Sequence, residues 1–265
     1  MTGTRSMLLH GRGLRVRHLA AAAALLFAAG AFAGPGELTV ISVGPMKEAL
    51  ADAVAKFESE TGQTVAVNYT TRAQLKAKVH GADHPDIVIA AEDSMNQLGA
   101  DGQTQTDTRM PLGRVGFGVA IKDGSTAPDV SSTEALKQAL LKARSITYVD
   151  PAESPAGKQA TAMVEKLGIT DAVKAKTKLG TGSNPIGPVG FGDIEIALHP
   201  INEIMVAKGV KLAAPVPADV QQWTRYDAAI ISEAPNQNEA KKLLTFLNGA
   251  AARASYKSKG FEAAN

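Results

Sequence analysis

Between residues 37 and 98 the chain alternates short β-branched apolar runs with longer segments whose apolar positions recur at helical spacing. The run Glu37–Val43 predicts a strand. The segment after it has apolar residues on one helical stripe, at Met46, Leu50, Val54 and Phe57. Strand-like and helical patterns then continue in turn, at Thr64–Tyr69, Arg72–His80, Pro85–Ala90 and Ser94–Leu98. This β-α-β-α-β-α order predicts a parallel sheet covered by helices.

The regular alternation of strands and helices ends after residue 112, where Gly113–Ile121 predicts a long strand that contains three glycines. A second such strand is predicted far along the chain, at Tyr226–Ser232. Further strands are predicted at Ile146–Val149, Ile194–Leu198 and Lys211–Ala214, helices at Ser132–Ala143, Gly157–Leu167, Asn236–Leu247 and Ala250–Lys259, and a loop at Thr181–Gly192. Two β-α blocks of similar size favour two lobes joined by the two long strands. One continuous sheet is the alternative.

The first 33 residues differ in composition from the rest of the chain. They contain four basic residues and no acidic one, at Arg5, Arg12, Arg15 and Arg17. An apolar run then extends from Leu19 to Phe32 and ends in the small-x-small sequence Ala31–Ala33. This order is typical of a secretory signal peptide. A membrane anchor is the alternative, but the run falls short of the roughly 20 residues that a spanning helix needs. We therefore predict a signal peptide over residues 1–33 and a mature protein outside the membrane.

Removing that segment changes the charge of the protein. The 28 basic and 26 acidic residues of the whole sequence become 24 and 26, so the mature chain has a net charge of −2. We expect no nucleic-acid partner, because the mature chain lacks the basic excess of a nucleic-acid binder. The sequence has no cysteine, which excludes disulfides and thiol chemistry and leaves stability to a sizeable apolar core.

Five stretches together resemble one family; they are Glu37–Leu50, Lys56–Thr64, Pro85–Glu92, Asp150–Lys158 and Leu243–Phe261. The chain is similar to the type II periplasmic solute-binding proteins, and most closely to their molybdate-binding branch. The resemblance implies an α/β fold of two lobes with two crossing hinge strands. Lobe 1 is expected at residues 37–115 plus 228–265, and lobe 2 at 116–227. It also implies a monomeric periplasmic protein that closes on a small anion and passes it to an ABC-type permease and ATPase.

In that family the anion lies between the lobes, bound by hydroxyl groups and by backbone N–H groups at helix N-termini. Unsatisfied donors and the positive end of the helix dipole favour anions there. The matching positions of this sequence are Ser42, Thr70, Thr71, Arg72, Ser154, Ala156, Gly157 and His199. Two positions depart from the family pattern. Pro45 replaces a serine and supplies neither hydroxyl nor N–H, so Ser42 is the candidate to take its place, and His199 replaces a tyrosine.

These departures determine the predicted ligand. Each lost charge-assisted hydrogen bond weakens an oxyanion site by roughly 1.5–3 kcal/mol. Arg72, in contrast, adds a guanidinium group, which binds a planar carboxylate through two parallel hydrogen bonds. We therefore predict that the ligand is a small organic acid. A protein that binds molybdate or tungstate remains an alternative interpretation, the third after the organic-acid binder and the enzyme described next.

An enzyme on the same fold is the second interpretation. Aconitate isomerase, which interconverts trans- and cis-aconitate by moving a proton, is similar in fold to this branch. Such a reaction needs a carboxylate clamp and a base, for which His199 and Glu195 are the candidates. The sequence does not separate a binder from such an isomerase. The histidines His80, His84 and His199 lack the spacing of a metal site, so we expect no metal ion and no cofactor.

Overall fold

The computed structural model describes residues 36–80, 85–182 and 184–264. The predicted signal peptide, residues 1–33, and His84 lie outside this part of the chain. The strands are β1 Leu38–Val43, β2 Val65–Thr70, β3 Ile87–Ala91, β4 Met110–Lys122, β5 Ile146–Val149, β6 Thr177–Gly180, β7 Ile196–Pro200, β8 Val210–Pro215 and β9 Trp223–Ile230. The helices are α1 Lys47–Thr61, α2 Arg72–Val79, α3 Glu92–Ala100, α4 Thr133–Lys142, α5 Pro155–Lys166, α6 Thr170–Lys174, α7 Gly187–Phe191, α8 Ile201–Ile204, α9 Gln237–Leu247 and α10 Ala250–Ser258.

The first three strands form the parallel β-α-β sheet that the apolar periodicity predicts. β1 pairs in parallel with β2 on one side and with β3 on the other. The predicted stripe of α1 is buried against this sheet, and the helix ends at Gly62, whose φ of 72° is the left-handed conformation that favours glycine. The carboxyl ends of the three strands consequently lie side by side at one edge.

Two long strands connect this sheet to the second half of the molecule. The first part of β4 pairs with β9 up to Gly116, and its second part, from Phe117, pairs with β7 and β8. β9 in turn pairs with β4 at its start and with β3 at its end. The sheet order is therefore β2-β1-β3-β9-β4-β7-β5-β6, with β8 on β4.

The buried apolar side chains divide at the same place along β4. Residues up to Val115 pack in a core with the N-terminal sheet and the C-terminal helices, whereas Phe117 begins a separate core formed with α4 and α5. The predicted α/β fold of two lobes with two crossing strands is thus confirmed. The exact lobe bounds, 37–115 plus 228–265 and 116–227, stay a prediction.

Three details differ from the predicted elements. The segment Thr181–Gly192, predicted as a loop, contains α7, in which Pro188 stands in the first turn, where its missing N–H is tolerated. The short elements α6, β6 and α8 were not predicted. β9 begins at Trp223, three residues before its predicted start, so Trp223–Arg225 are held in a strand. Within the described ranges, no helix is long and apolar enough to cross a membrane.

Candidate functional site

A cleft of about 510 Å³ opens where the carboxyl ends of β1, β2 and β3 face the start of α5. Its walls come from the strand-end segments 43–45, 70–72 and 91–94, and from the first turn of α5. The floor includes Val115 of β4 and the beginning of β9. Because β4 and β9 are the two crossing strands, the cleft lies between the two cores. Ligands commonly bind outside the carboxyl ends of strands in open α/β sheets.

Five of the predicted ligand-binding residues line this cleft: Thr70, Thr71, Arg72, Ser154 and Ala156. Two of them act as helix N-caps. The Thr71 hydroxyl oxygen accepts the N–H of Gln74 at 3.3 Å, and the Ser154 hydroxyl oxygen accepts the N–H of Ala156 at 3.1 Å. The Ala156 amide that was predicted to bind the anion therefore already has a partner. The hydroxyl oxygen of Thr70 is buried and has no hydrogen-bond partner among the residues that the structure describes.

Two other predicted residues support the cleft from behind and are not part of its lining. The hydroxyl of Ser42 is fully buried in β1 and donates to the carbonyl of Val43 at 3.3 Å. Gly157 is buried in the first turn of α5, where an added Cβ would meet the carbonyl oxygens of Val149 and Asp150, the latter at 2.6 Å. Glycine is therefore required for the close approach of α5 to the end of β5.

Arg72 lies at the mouth of the cleft and is half exposed. Its Nη1 contacts Oδ2 of Asp93, which follows β3. The same side chain borders a shallow groove formed by residues 152–158, so it remains close to the Ser154 turn. A positive charge at a helix N-terminus is unfavourable to the helix dipole, and in this structure the carboxylate of Asp93 compensates the charge of Arg72.

His199 lies one layer behind the cleft. Its ring is 2% exposed, and Nε2 lies 2.8 Å from Oε2 of Glu203. Glu203 lines the cleft, whereas the Nδ1 atom of His199 is buried without a partner in the described chain. Tyr226 lines the floor nearby. Burial raises the pKa of its phenol, and the negative charges of Glu203 and Asp93 raise the pKa further.

Glu195, the other candidate base, is positioned away from this cleft. Its Oε2 accepts a hydrogen bond from the backbone N–H of Arg144 at 3.0 Å and a second one from Nε of the Arg144 side chain at 3.1 Å. The backbone hydrogen bond from Arg144 is the main reason that the pKa of Glu195 is lowered. The carboxylate borders a separate groove beside α4, which the isomerase interpretation did not foresee.

The start of β9 supplies cleft residues that the sequence interpretation missed. Arg225 lines the cleft, and its Nε donates to Oδ1 of Asp227 at 3.1 Å. Asp227 is 1% exposed and also accepts the Nε of Arg109 at 2.7 Å. A strand places residues i and i+2 on one face, so the alternation of charge in Arg225-Tyr226-Asp227 was a usable signal.

Trp223 is the sole tryptophan of the sequence and lines the cleft beside Arg225. The guanidinium carbon of Arg114 lies 4.0 Å from the centre of its ring, the distance of a cation–π contact. Across the cleft, the side chains of Thr224 and Gln159 are 3.4 Å apart. Over the described ranges, no three His, Asp or Glu side chains are grouped as a metal site would require.

Comparison with known proteins agrees with this architecture. Residues 38–262 match the family of bacterial extracellular solute-binding proteins. Aconitate isomerase of a Pseudomonas species is 24% identical over 216 residues, which cover 79% of this chain and 81% of that protein. The molybdate-binding protein ModA of Escherichia coli K12 is 25% identical over 251 residues, which cover 92% of this chain and 96% of that protein.

Solved structures are similar in fold. The substrate-binding domain assigned to a molybdenum ABC transporter of Clostridium difficile has a TM-score of 0.77 at 18% identity, over 86% of this chain and 99% of that one. The periplasmic molybdate-binding protein of Azotobacter vinelandii has a TM-score of 0.66 at 17% identity, over 86% of this chain and 100% of that one. The resemblance to the type II solute-binding fold is therefore confirmed.

Proposed function

Because the chain belongs to the family of bacterial extracellular solute-binding proteins, we propose that it is a periplasmic protein that captures a small organic carboxylate for an ABC-type transporter. One observation carries the choice of ligand: the cleft combines the guanidinium groups of Arg72 and Arg225 with carbon-rich walls. Guanidinium donors match a carboxylate, and apolar walls match a carbon skeleton.

A tetrahedral oxyanion finds fewer donors here than the family pattern provides. Pro45 lines the cleft and has no N–H. The Ser42 hydroxyl donates a hydrogen bond to a backbone carbonyl, and the Ala156 N–H donates one to the Ser154 hydroxyl oxygen. An oxyanion would lose roughly 1.5–3 kcal/mol for each missing charge-assisted hydrogen bond. This loss is the reason for preferring an organic acid to molybdate, tungstate or sulfate.

The size and walls of the cleft favour a ligand with a carbon skeleton. Its volume of about 510 Å³ is within the usual range for small-molecule sites. Val43, Val115 and Trp223 contribute apolar surface to its lining. Covering such surface contributes about 25 cal/mol for each Å² removed from water, which an inorganic oxyanion cannot exploit to the same extent.

Transport requires that ligand binding changes the conformation. We propose that residues 1–33 direct export, and that the lobes at 37–115 plus 228–265 and at 116–227 close as a monomer about β4 and β9. A ligand touching Thr70 on one side and the Ser154 turn on the other stabilises the closed form, because it gains contacts there that the open form lacks. The closed form would then be the one that an ABC-type permease, with its ATPase, receives.

A thermal-shift screen tests this proposal. Ligands that bind the folded protein raise its melting temperature by mass action. We expect at least one di- or tricarboxylate, such as citrate or trans-aconitate, to raise the melting temperature, while molybdate, tungstate and sulfate leave it unchanged. A rise with molybdate or tungstate and with no carboxylate would contradict the choice of ligand.

An isomerase is the second candidate function, favoured by the similarity to aconitate isomerase and by the position of Glu203. In this scheme the Glu203 carboxylate removes a proton from the CH₂ of bound trans-aconitate. The double bond moves, and the proton returns at the formerly vinylic carbon to give cis-aconitate. His199 holds the glutamate through its hydrogen bond, and nearby guanidinium groups stabilise the negative charge of the intermediate.

The ultraviolet absorbance of trans-aconitate mixed with the purified protein separates the two functions. An isomerase converts it catalytically, and Glu203→Gln abolishes the conversion. A protein that binds trans-aconitate and leaves it unchanged is a binding protein only.

A further inference from the structure

We propose that Arg225, and not Arg72, is the principal partner of the ligand carboxylate, and that buried Asp227 positions it for this role. This inference rests on the proposed function, because it assumes that a carboxylate enters the cleft. It names the residue that selects a planar carboxylate over other anions.

The charges around Asp227 are not balanced in a simple pair. This carboxylate is almost completely buried, and two arginines share it: Arg109 through Nε at 2.7 Å and Nη2 at 2.6 Å, and Arg225 through Nε at 3.1 Å. One negative charge thus faces two positive charges. Nη1 of Arg109 donates to the Asn96 side-chain oxygen at 2.7 Å, and Nη2 also donates to the Glu92 carbonyl at 3.3 Å. Asp227 therefore does not neutralise Arg225 alone, and within the described residues the Nη atoms of Arg225 make no hydrogen bond.

The two cleft arginines differ in how closely a carboxylate approaches their terminal nitrogens. Nη1 of Arg72 is in direct contact with the carboxylate of Asp93. Nη1 of Arg225 lies 3.9 Å from Oε1 of Glu92, which is beyond hydrogen-bond distance. A ligand therefore competes with Asp93 for the guanidinium charge of Arg72, whereas it meets the terminal nitrogens of Arg225 without breaking a hydrogen bond to another carboxylate of the described chain.

The geometry of Arg225 also suits a carboxylate ligand. Nε of Arg225 is held by Asp227, so the planar guanidinium group has a fixed anchor on one edge. Its two Nη atoms can then offer parallel N–H donors, the arrangement that binds both oxygens of a carboxylate. Arg225 also lies on β9, in register with Arg114 of β4. A carboxylate bound to it would sit over the two crossing strands, where both lobes can close on it.

Isothermal titration calorimetry with citrate and trans-aconitate as probes tests the inference. We expect Arg225→Ala to weaken binding of the carboxylate that the wild-type protein takes by at least about tenfold. Arg225→Lys keeps the charge and loses the paired donors, so it should bind with intermediate affinity. The matched control is Arg72→Ala, which removes the other cleft arginine. We expect it to lower the affinity for the same carboxylate by less than about fivefold, because the contribution of an exposed charge pair is small.

The outcomes distinguish this inference from the proposed function. Undiminished binding by Arg225→Ala, or a larger loss in Arg72→Ala, overturns the inference and leaves a carboxylate-binding protein. A wild-type protein that takes neither probe but binds molybdate overturns both. If Arg225→Ala does not fold because Asp227 loses a partner, Arg225→Lys becomes the test of the inference. Wild-type affinity for the carboxylate in Arg225→Lys would then overturn it.

Discussion

His199 and Glu203 form a hydrogen-bonded pair, 2.8 Å between Nε2 and Oε2, in which the glutamate faces the cleft and the imidazole is buried behind it. The pair spans the junction of β7 and α8, where the chain turns from strand to helix. We therefore expect His199 to act on a ligand only through Glu203, as a positioning residue, and we expect the Glu203 carboxylate to be the member of the pair that contacts the ligand.

Substitution of the two residues of this pair should change the free energy of unfolding by different amounts. Replacing His199 with alanine empties a buried site and leaves Glu203 without its donor, so we expect a loss of about 2–5 kcal/mol in the free energy of unfolding. Glu203→Ala removes a side chain that is 40% exposed but leaves the buried Nε2 of His199 without its acceptor, so we expect a smaller loss, of about 1–3 kcal/mol. Urea denaturation of both variants measures the difference. Equal losses would show that the buried imidazole has no special structural role.

Trp223 should report ligand binding directly. It is the sole tryptophan, it lines the cleft, and it is 38% exposed in this structure. Closure of the lobes on a ligand removes water from the indole ring, so we expect the fluorescence emission to shift to shorter wavelength. Titration with a carboxylate that raises the melting temperature measures the shift, and Trp223→Phe provides the blank. An unchanged spectrum at saturating ligand would contradict closure over Trp223.

Gly157 should tolerate no larger residue. A Cβ there meets two backbone carbonyls, so Gly157→Ala must move the first turn of α5 away from β5. We expect a loss of about 1–3 kcal/mol in the free energy of unfolding, together with weaker ligand binding at the displaced Ser154 turn. Gly44→Ala is the matched control for stability, because a Cβ at Gly44 has no atom within 4 Å. Similar stability of both variants would contradict the proposed close approach.

Several of these features could be read from the sequence. Thr70, Thr71 and Ser154 stand where a predicted strand gives way to a helix, and the carboxyl ends of parallel strands meet at one edge. The resemblance to the solute-binding family implied the general position of the cleft, and this order of strands and helices agrees with it. Arg225 was missed because it precedes the apolar run of β9, and apolar periodicity alone did not include it in the strand.

Other features depend on tertiary contacts that no local pattern contains. Arg72 and Asp93 lie on different helices, and the approach of those helices determines that the two side chains pair. Whether His199 or Glu203 faces the cleft depends on how the chain turns between β7 and α8. The helix α7 was not predicted because its segment is rich in Gly and Pro, a composition that is typical of loops.

The buried phenols make stability sensitive to high pH. The folded structure raises the pKa of Tyr226 and Tyr256 above the ordinary value of 10.0, mainly because burial disfavours the phenolate. Their contribution to stability is complete below pH 10 and is lost as the pH rises from there toward the folded pKa values. Absorbance of phenolate should show these two tyrosines ionising together with unfolding. Ionisation of all four tyrosines near pH 10 in the folded protein would contradict this prediction.

Calorimetric titration of the wild-type protein, first with citrate and trans-aconitate and then with molybdate, tests the central claim most directly. The account predicts saturable one-to-one binding of at least one carboxylate and no measurable heat of binding from molybdate at the same concentrations. Tight one-to-one binding of molybdate, with no response to either carboxylate, would contradict it.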